Sequence, residues 1–192
     1  MEAIDYGHPS HRWTVQQFHR MIDTGVFRPE DRVELIEGEL LDMTPIGPPH
    51  SGFTGTLNMM FAGKLDGRAF VTSHTPLDLD LRTEVYPDLL VLKRRDDNYQ
   101  RSNPGPEAVW LIVEVADSSL RYDLETKRKL YAKAGVPRLW VVDVNGRRIH
   151  DFSRPDRESG RYAEEAVVDR GGCCLEIEGV RVEVELNELF RV

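Results

Sequence analysis

The chain has 192 residues, 40% of them hydrophobic and 30% charged, a balance that supplies one soluble domain with a core and excludes wholesale disorder or a fibrous repeat. Lys and Arg total 25 against 33 Asp and Glu, a formal net charge of −8. That charge excludes coating nucleic acid by bulk positive potential, so any such contact must be local.

Thr14 opens a Thr-Val-Gln-Gln box, and Val15, Phe18 and Ile22 follow at helical spacing, which predicts a short amphipathic helix ending near Gly25. Beyond the turn-rich Arg28-Pro29-Glu30-Asp31, residues Val33 to Met43 read as a hairpin around Glu37-Gly38. Pro45, Gly47, Pro48 and Pro49 argue against regular structure, and Phe53, Leu57, Phe61 and Leu65 predict a helix beginning past His50 and stopped by Gly67. Strands are expected over Phe70 to Ser73, the alternating Leu77 to Leu81, Asp88 to Leu92 and Val109 to Val115, with a polar loop from Lys93 to Pro106. A helix over about Asp123 to Ala134 leads to a strand from Arg138 to Val144, a turn at Asn145-Gly146 and a return strand over Arg147 to Phe152. A loop around Pro155 to Gly160 and three more strand-like stretches reach Phe190.

No linker or repeat divides this pattern, so one domain over residues 1–192 is expected, and strand, helix, strand in succession predicts an α/β or α+β fold. The start Met1 to Asp5 is acidic where a signal peptide is basic, and the most apolar run, Ala108 to Ala116, is broken by Glu114. It is also far short of the roughly 20 apolar residues that span a bilayer. A cytoplasmic protein without membrane contact is the expectation. Cys173 and Cys174 are adjacent, which does not suit a spaced zinc site, and read as packed strand residues.

Two carboxylates draw attention. Asp88 enters one apolar strand and Glu114 is embedded in another. A carboxylate there must be protonated, ion-paired, metal-bound or at a sheet edge. Two adjacent strands offering hard oxygens would suit Mg²⁺. On a helical wheel Asp123, Leu124, Lys127, Leu130, Tyr131 and Ala134 share one face, while Glu125, Arg128, Lys129, Ala132 and Lys133 share the other. Lys127 is thus the one basic residue turned toward the sheet. It either finds an anion there, pairs with Asp123, or snorkels to solvent.

Val-Tyr-Pro-Asp at 85 to 88, Val-Glu-Val at 113 to 115 and the whole run from Arg121 to Asp143 resemble the Uma family of restriction-type endonucleases, within the PD-(D/E)XK nuclease superfamily. Glu34 in Val-Glu-Leu-Ile-Glu-Gly-Glu-Leu and the Gly-Pro-Pro-His ending at His50 extend the likeness, which covers roughly residues 13 to 150. The resemblance implies a restriction-endonuclease-like core, with a mixed central sheet, flanking helices and extra β-hairpins. It also implies Mg²⁺ or Mn²⁺ held by Asp88 and Glu114, with Glu34 as the additional acid, and DNA as substrate. The usual lysine would stand two residues after Glu114, where this chain has Ala116. Lys127 matches members in which that lysine has migrated to the neighbouring helix.

The expected activity is therefore metal-dependent DNA cleavage through Asp88, Glu114 and Lys127; the alternative is a non-catalytic module that keeps the fold for nucleic-acid or protein contacts. Cleavage of both strands would suit a homodimer. His50 and Tyr131 are candidate substrate contacts, each with a plainer reading as a cap or a packed side chain. Lys93, Arg94 and Arg95, with Tyr99 and Arg101, could follow a phosphate backbone or form a solvated loop. Asp78 and Asp80 read as the polar face of a half-exposed strand, and His8 and His11 as residues of a frayed terminus.

Overall fold

The computed structural model describes residues 8–28 and 30–191; the acidic start Met1 to Asp5 and Pro29 in the first turn lie outside them. Helix α1, Val15–Asp23, begins on a capping box in which the Gln17 N–H donates to Thr14 Oγ1 and the Thr14 N–H donates to Gln17 Oε1. Strands β1, Val33–Ile36, and β2, Glu39–Asp42, form the expected hairpin. Glu37 and Gly38 take φ of 48° and 81°, as a type I′ turn requires. A Cβ on Gly38 would stand 2.8 Å from Arg12 Cβ, so only glycine fits there.

Helix α2, Pro48–Leu65, starts before His50 rather than after it. Pro48 and Pro49 do not break the helix, because the first turn has no intrahelical use for their missing N–H groups. His50 consequently lies in the first turn.

Strands β3, Phe70–Thr72, and β4, Leu77–Asp80, match expectation, but β5, Thr83–Val85, has no sequence signature. Three residues are too few to show alternation. Pairing with β4 and β1 creates β5 and completes an antiparallel sheet in the order β2-β1-β5-β4.

A second, six-stranded sheet has the order β10-β9-β8-β7-β6-β3 and comprises β6, Leu89–Leu92, β7, Val109–Ala116, β8, Arg138–Asp143, β9, Arg148–Asp156, and β10, Arg161–Val168, beside β3. Only β7 and β8 run parallel, so the sheet is mixed and the fold is α+β. Helix α3, Leu120–Tyr122, a π turn over Asp123–Lys127 and helix α4, Arg128–Ala134, connect those two strands. The helix thus begins three residues earlier than expected.

β9 continues through Pro155, where a loop was expected. Pairing with β8 ends at Ser153, so Pro155 lies beyond it and its missing donor costs no bond on that side. β11, Gly172–Ile177, and β12, Val180–Glu185, form the last hairpin, followed by the single turn α5, Leu186–Leu189, in place of strand up to Phe190. Cys173 and Cys174 sit in β11, unbridged.

Alternation along β7 divides the core. Leu111, Val113 and Val115 pack with Leu57 and Phe61 of α2 and with Val182 and Val184 of β12. Ile112 and Ala116 face Leu130, Tyr131 and Ala132 of α4. Glu114 shares their parity and so lies on the α4 side. Ala132 is buried although the wheel turned it outward, because α4 is also covered by β9 and β10 and the π turn adds a residue to the helical repeat. Among the described residues no helix is long and apolar enough to cross a membrane.

Candidate active site

Antiparallel pairing of Leu89 with Val113 sets Asp88 opposite Glu114 at the ends of β6 and β7. Residues 26 apart in sequence thereby meet, and the Asp88 N–H points at Glu114 Oε2, 3.4 Å away. Asp88 Oδ2 accepts the Val115 N–H at 2.7 Å and lies 2.9 Å from His50 Nε2, which the first turn of α2 delivers. On the other side of Glu114, Lys127 Nζ stands 3.1 Å from Glu114 Oε1 and 3.3 Å from Glu34 Oε1. Glu34 comes from β1 and is fixed by the Tyr86 N–H at 3.0 Å. The Tyr131 hydroxyl, one turn beyond Lys127, donates to Glu114 Oε1 at 2.5 Å.

These groups border a cleft of about 320 Å³ whose wall includes Arg32, Glu34, His50, Asp88, Glu114, Asp123 and Lys127. Lys127 is 8% exposed, so its ammonium has no general access to water. Burial alone would lower its pKa, but Glu114 and Glu34 reverse the shift and hold it above the ordinary lysine range. Burial, only partly offset by Lys127, pushes Glu114 well above the usual carboxylate range, and burial raises Asp123 as well. Asp88 goes the other way: its desolvation is outweighed by the His50 contact and the Val115 N–H, which keep it low. Four acids thus face one ammonium, and burial works against ionising all of them at once.

The model of the Uma2 family, described as "Putative restriction endonuclease", matches residues 15–187. The chain belongs to the Uma2 family. No curated protein matches it. Among solved structures it is similar to "a putative nuclease belonging to DUF820 from Anabaena variabilis ATCC 29413", at a TM-score of 0.71 and 16% identity, over 92% of this chain and 97% of that one. The Uma2 chain therefore shares a nuclease-like fold.

Within this Uma2 fold, Glu34, Asp88, Glu114 and Lys127 from four separate elements meet in one cleft, and His50 joins them. Tyr131 does not contact the cleft: it is fully buried, so its hydroxyl serves Glu114 and not a substrate. Ala116 is 1% exposed and packed on the α4 side, leaving no lysine in the strand. Sequence reasoning missed two residues here. Asp123 shares the Lys127 face and its side chain accepts from Ser119 Oγ at 2.6 Å, a role that the wheel carried but did not assign. His74, in the link between β3 and β4, reaches Asp88 with no periodic pattern to announce it.

The basic loop stays away from the cleft. Arg95 stacks on Tyr99 at 4.0 Å and is held by Asp97 and Ser102, while Lys93 lies over Trp110. A second titratable group lies apart, between α1, β4 and β5, where His19, Asp78 and Glu84 present ligand-type atoms within 4.8 Å of one another. There Glu84 Oε1 accepts from Tyr86 and Oε2 from His19 and Asn103. With both oxygens occupied, that group is a closed hydrogen-bond cluster involving Asp78 in more than the polar strand face expected of it.

Proposed function

We propose that this protein is a metal-dependent endonuclease that hydrolyses phosphodiester bonds in DNA, with Mg²⁺ or Mn²⁺ held by Glu34, Asp88 and Glu114. The observation that carries the reading is the convergence of these acids with the buried Lys127 in a single cleft. The chemistry of the donors suits a hard divalent cation, which would draw the three acids closer than they stand, since His19, Asp78 and Glu84 are the described group whose ligand atoms lie within 4.8 Å of one another. Each acid spends one oxygen on the protein and keeps another with no strong donor: Glu34 Oε2, Asp88 Oδ1, and Glu114 Oε2, whose one donor is 3.4 Å away. The surplus of negative charge calls for a cation as well.

A divalent ion bound there would acidify a water and offset charge on the attacked phosphate. The chain's own groups do the rest. Lys127, fixed by two carboxylates, presents a positive charge where a phosphate oxygen gains charge in the transition state. Tyr131 and Lys127 hold Glu114 in one rotamer, and His50 and the Val115 N–H do the same for Asp88. Arg32, on the cleft wall, adds local positive charge that the overall −8 lacks.

The test is incubation of supercoiled and single-stranded DNA with the protein in Mg²⁺ or Mn²⁺. Cleavage should be abolished by chelation and by Asp88→Asn, with the circular dichroism spectrum unchanged. Metal binding with no cleavage of either DNA would favour the non-catalytic module instead. Sedimentation equilibrium reads whether two copies assemble for cutting both strands.

A further inference from the structure

Beside the cleft lies a second cavity of about 810 Å³, between α1, the link that follows it and the end of β5. Phe18, Ile22 and Phe27 form its apolar wall, with the Phe27 ring set edge-on to Phe18 at 5.8 Å and Ile22 44% exposed. Arg32, Met43 and Tyr86 line both this cavity and the cleft, so the two adjoin. His74 is on the cavity wall as well, and its N–H donates to Pro87 O at 3.1 Å, which ties the cavity to the chain segment that carries Asp88.

Chemistry separates the two spaces. Carboxylates and an ammonium wall the cleft, whereas rings and aliphatic side chains wall the cavity. Tyr86 is held at both ends, its N–H donating to Glu34 Oε1 and its hydroxyl to Glu84 Oε1 at 2.9 Å, so its ring is a preset plane. Burial, reinforced by Arg32 against the pull of Asp88, holds His74 below its ordinary pKa, which leaves its ring uncharged near neutral pH. Arg32 stands where the spaces meet and forms no ion pair among the described residues, because Glu34, two residues on, is taken by Lys127. With a net charge of −8 the protein has no general hold on a polyanion, so affinity must come from such local contacts. A nucleotide has the same division: a charged phosphate and a flat base joined by one sugar, the base able to stack on aromatic rings.

Resting on the reading of the cleft as a phosphodiester site, we infer that the cavity receives the unpaired base adjoining the scissile phosphate, and that Arg32 contacts the phosphate between them. The consequence concerns the form of the substrate. A base inside a duplex is paired and stacked, so this site takes single-stranded DNA directly and a duplex only after a base is turned out. Every base has a flat face, so the preference is for unpaired strand and not for a sequence.

Fluorescence anisotropy in Ca²⁺ tests this with labelled probes of equal length: an oligothymidylate, an abasic strand with the same phosphates, and a perfect duplex. The parent should bind the oligothymidylate about tenfold or more tightly than either of the others. Phe27→Leu keeps the apolar bulk but removes the ring, and should weaken the oligothymidylate alone by about tenfold, while Phe27→Trp keeps the parent's affinity. Ile22→Trp, at an exposed position, adds a ring at the rim and should tighten the oligothymidylate by about threefold with the abasic strand unchanged. Equal affinity for the oligothymidylate and the abasic strand, binding of neither, or Phe27 and Ile22 variants that move every probe alike or none would overturn the inference. So would a parent dimer that Phe27→Leu dissociates with no dependence on bases, which would give the cavity to a second copy. Base-dependent binding through Phe27 by a parent that never cuts DNA would overturn the nuclease reading and leave this one standing. Cleavage by a parent that binds strands with and without bases equally would do the reverse.

Discussion

Replacing Lys127 by Met keeps an unbranched stem of similar length and deletes the ammonium between Glu34 and Glu114. At 3.3 and 3.1 Å each contact is worth about 5 kcal/mol at an effective dielectric constant of ~20, a gross attraction of about 10 kcal/mol. Most of it is offset by the cost of desolvating the ammonium and, in the variant, by a carboxyl taking up a proton. Deleting one partner of a buried pair leaves a net loss of about 3–5 kcal/mol. For a chain of this length that corresponds to a fall in Tm of roughly 6–20 °C, at about 2–4 °C per kcal/mol. Mn²⁺ should recover part of the loss, because a cation then re-enters the space among the acids. Single-turnover nicking of supercoiled DNA should slow by about 10²-fold or more, as for removal of a group that acts on developing charge. Thermal melts with and without Mn²⁺, beside the nicking assay, measure both quantities on one preparation. A variant that melts within about 1 °C of the parent would refute the buried-charge argument; cleavage within a few-fold of the parent would refute the role at the phosphate.

Other outcomes follow from the same geometry. Asp88→Asn and Glu114→Gln should each abolish the stabilisation by metal, which in the parent should reach about 2.7 kcal/mol at a metal concentration of 100 Kd and be read as a rise in Tm; an undiminished rise in either variant would remove that residue from the ligand set. Burial, with Asp78 beside it, raises the Glu84 carboxyl above its ordinary 4.5 despite His19 and Tyr86. A raised acid stabilises the fold below its unfolded pKa, and that stability is lost as pH rises from about 4.5 through the folded value. The fall in Tm over that window should therefore be shallower in Glu84→Gln, and parallel profiles would contradict it. Burial pushes the Cys173 thiol up to about 12, so a thiol reagent should modify Cys174 first in the native protein, as peptide mapping would read. Replacing both cysteines by Ala should cost only about 1 kcal/mol for each buried atom group removed and leave cleavage unchanged.

Local sequence determined those features whose physics is local. The Thr14 capping box, the Glu37-Gly38 turn and the apolar runs of β6 to β8 are fixed by interactions within a few residues, so they could be read without the fold. Lys127 was legible for a related reason: helical spacing alone separates the face that carries it from the face of Arg128, Lys129 and Lys133. Tertiary structure decided the rest. β5 exists only because β1 and β4 flank it. His74 reaches Asp88 from a connecting link, and Asp88 meets Glu114 through antiparallel register. Sequence supplied the carboxylates and the lysine, but the distances that turn them into a candidate site arise from pairings between residues far apart in the chain, which no local pattern encodes.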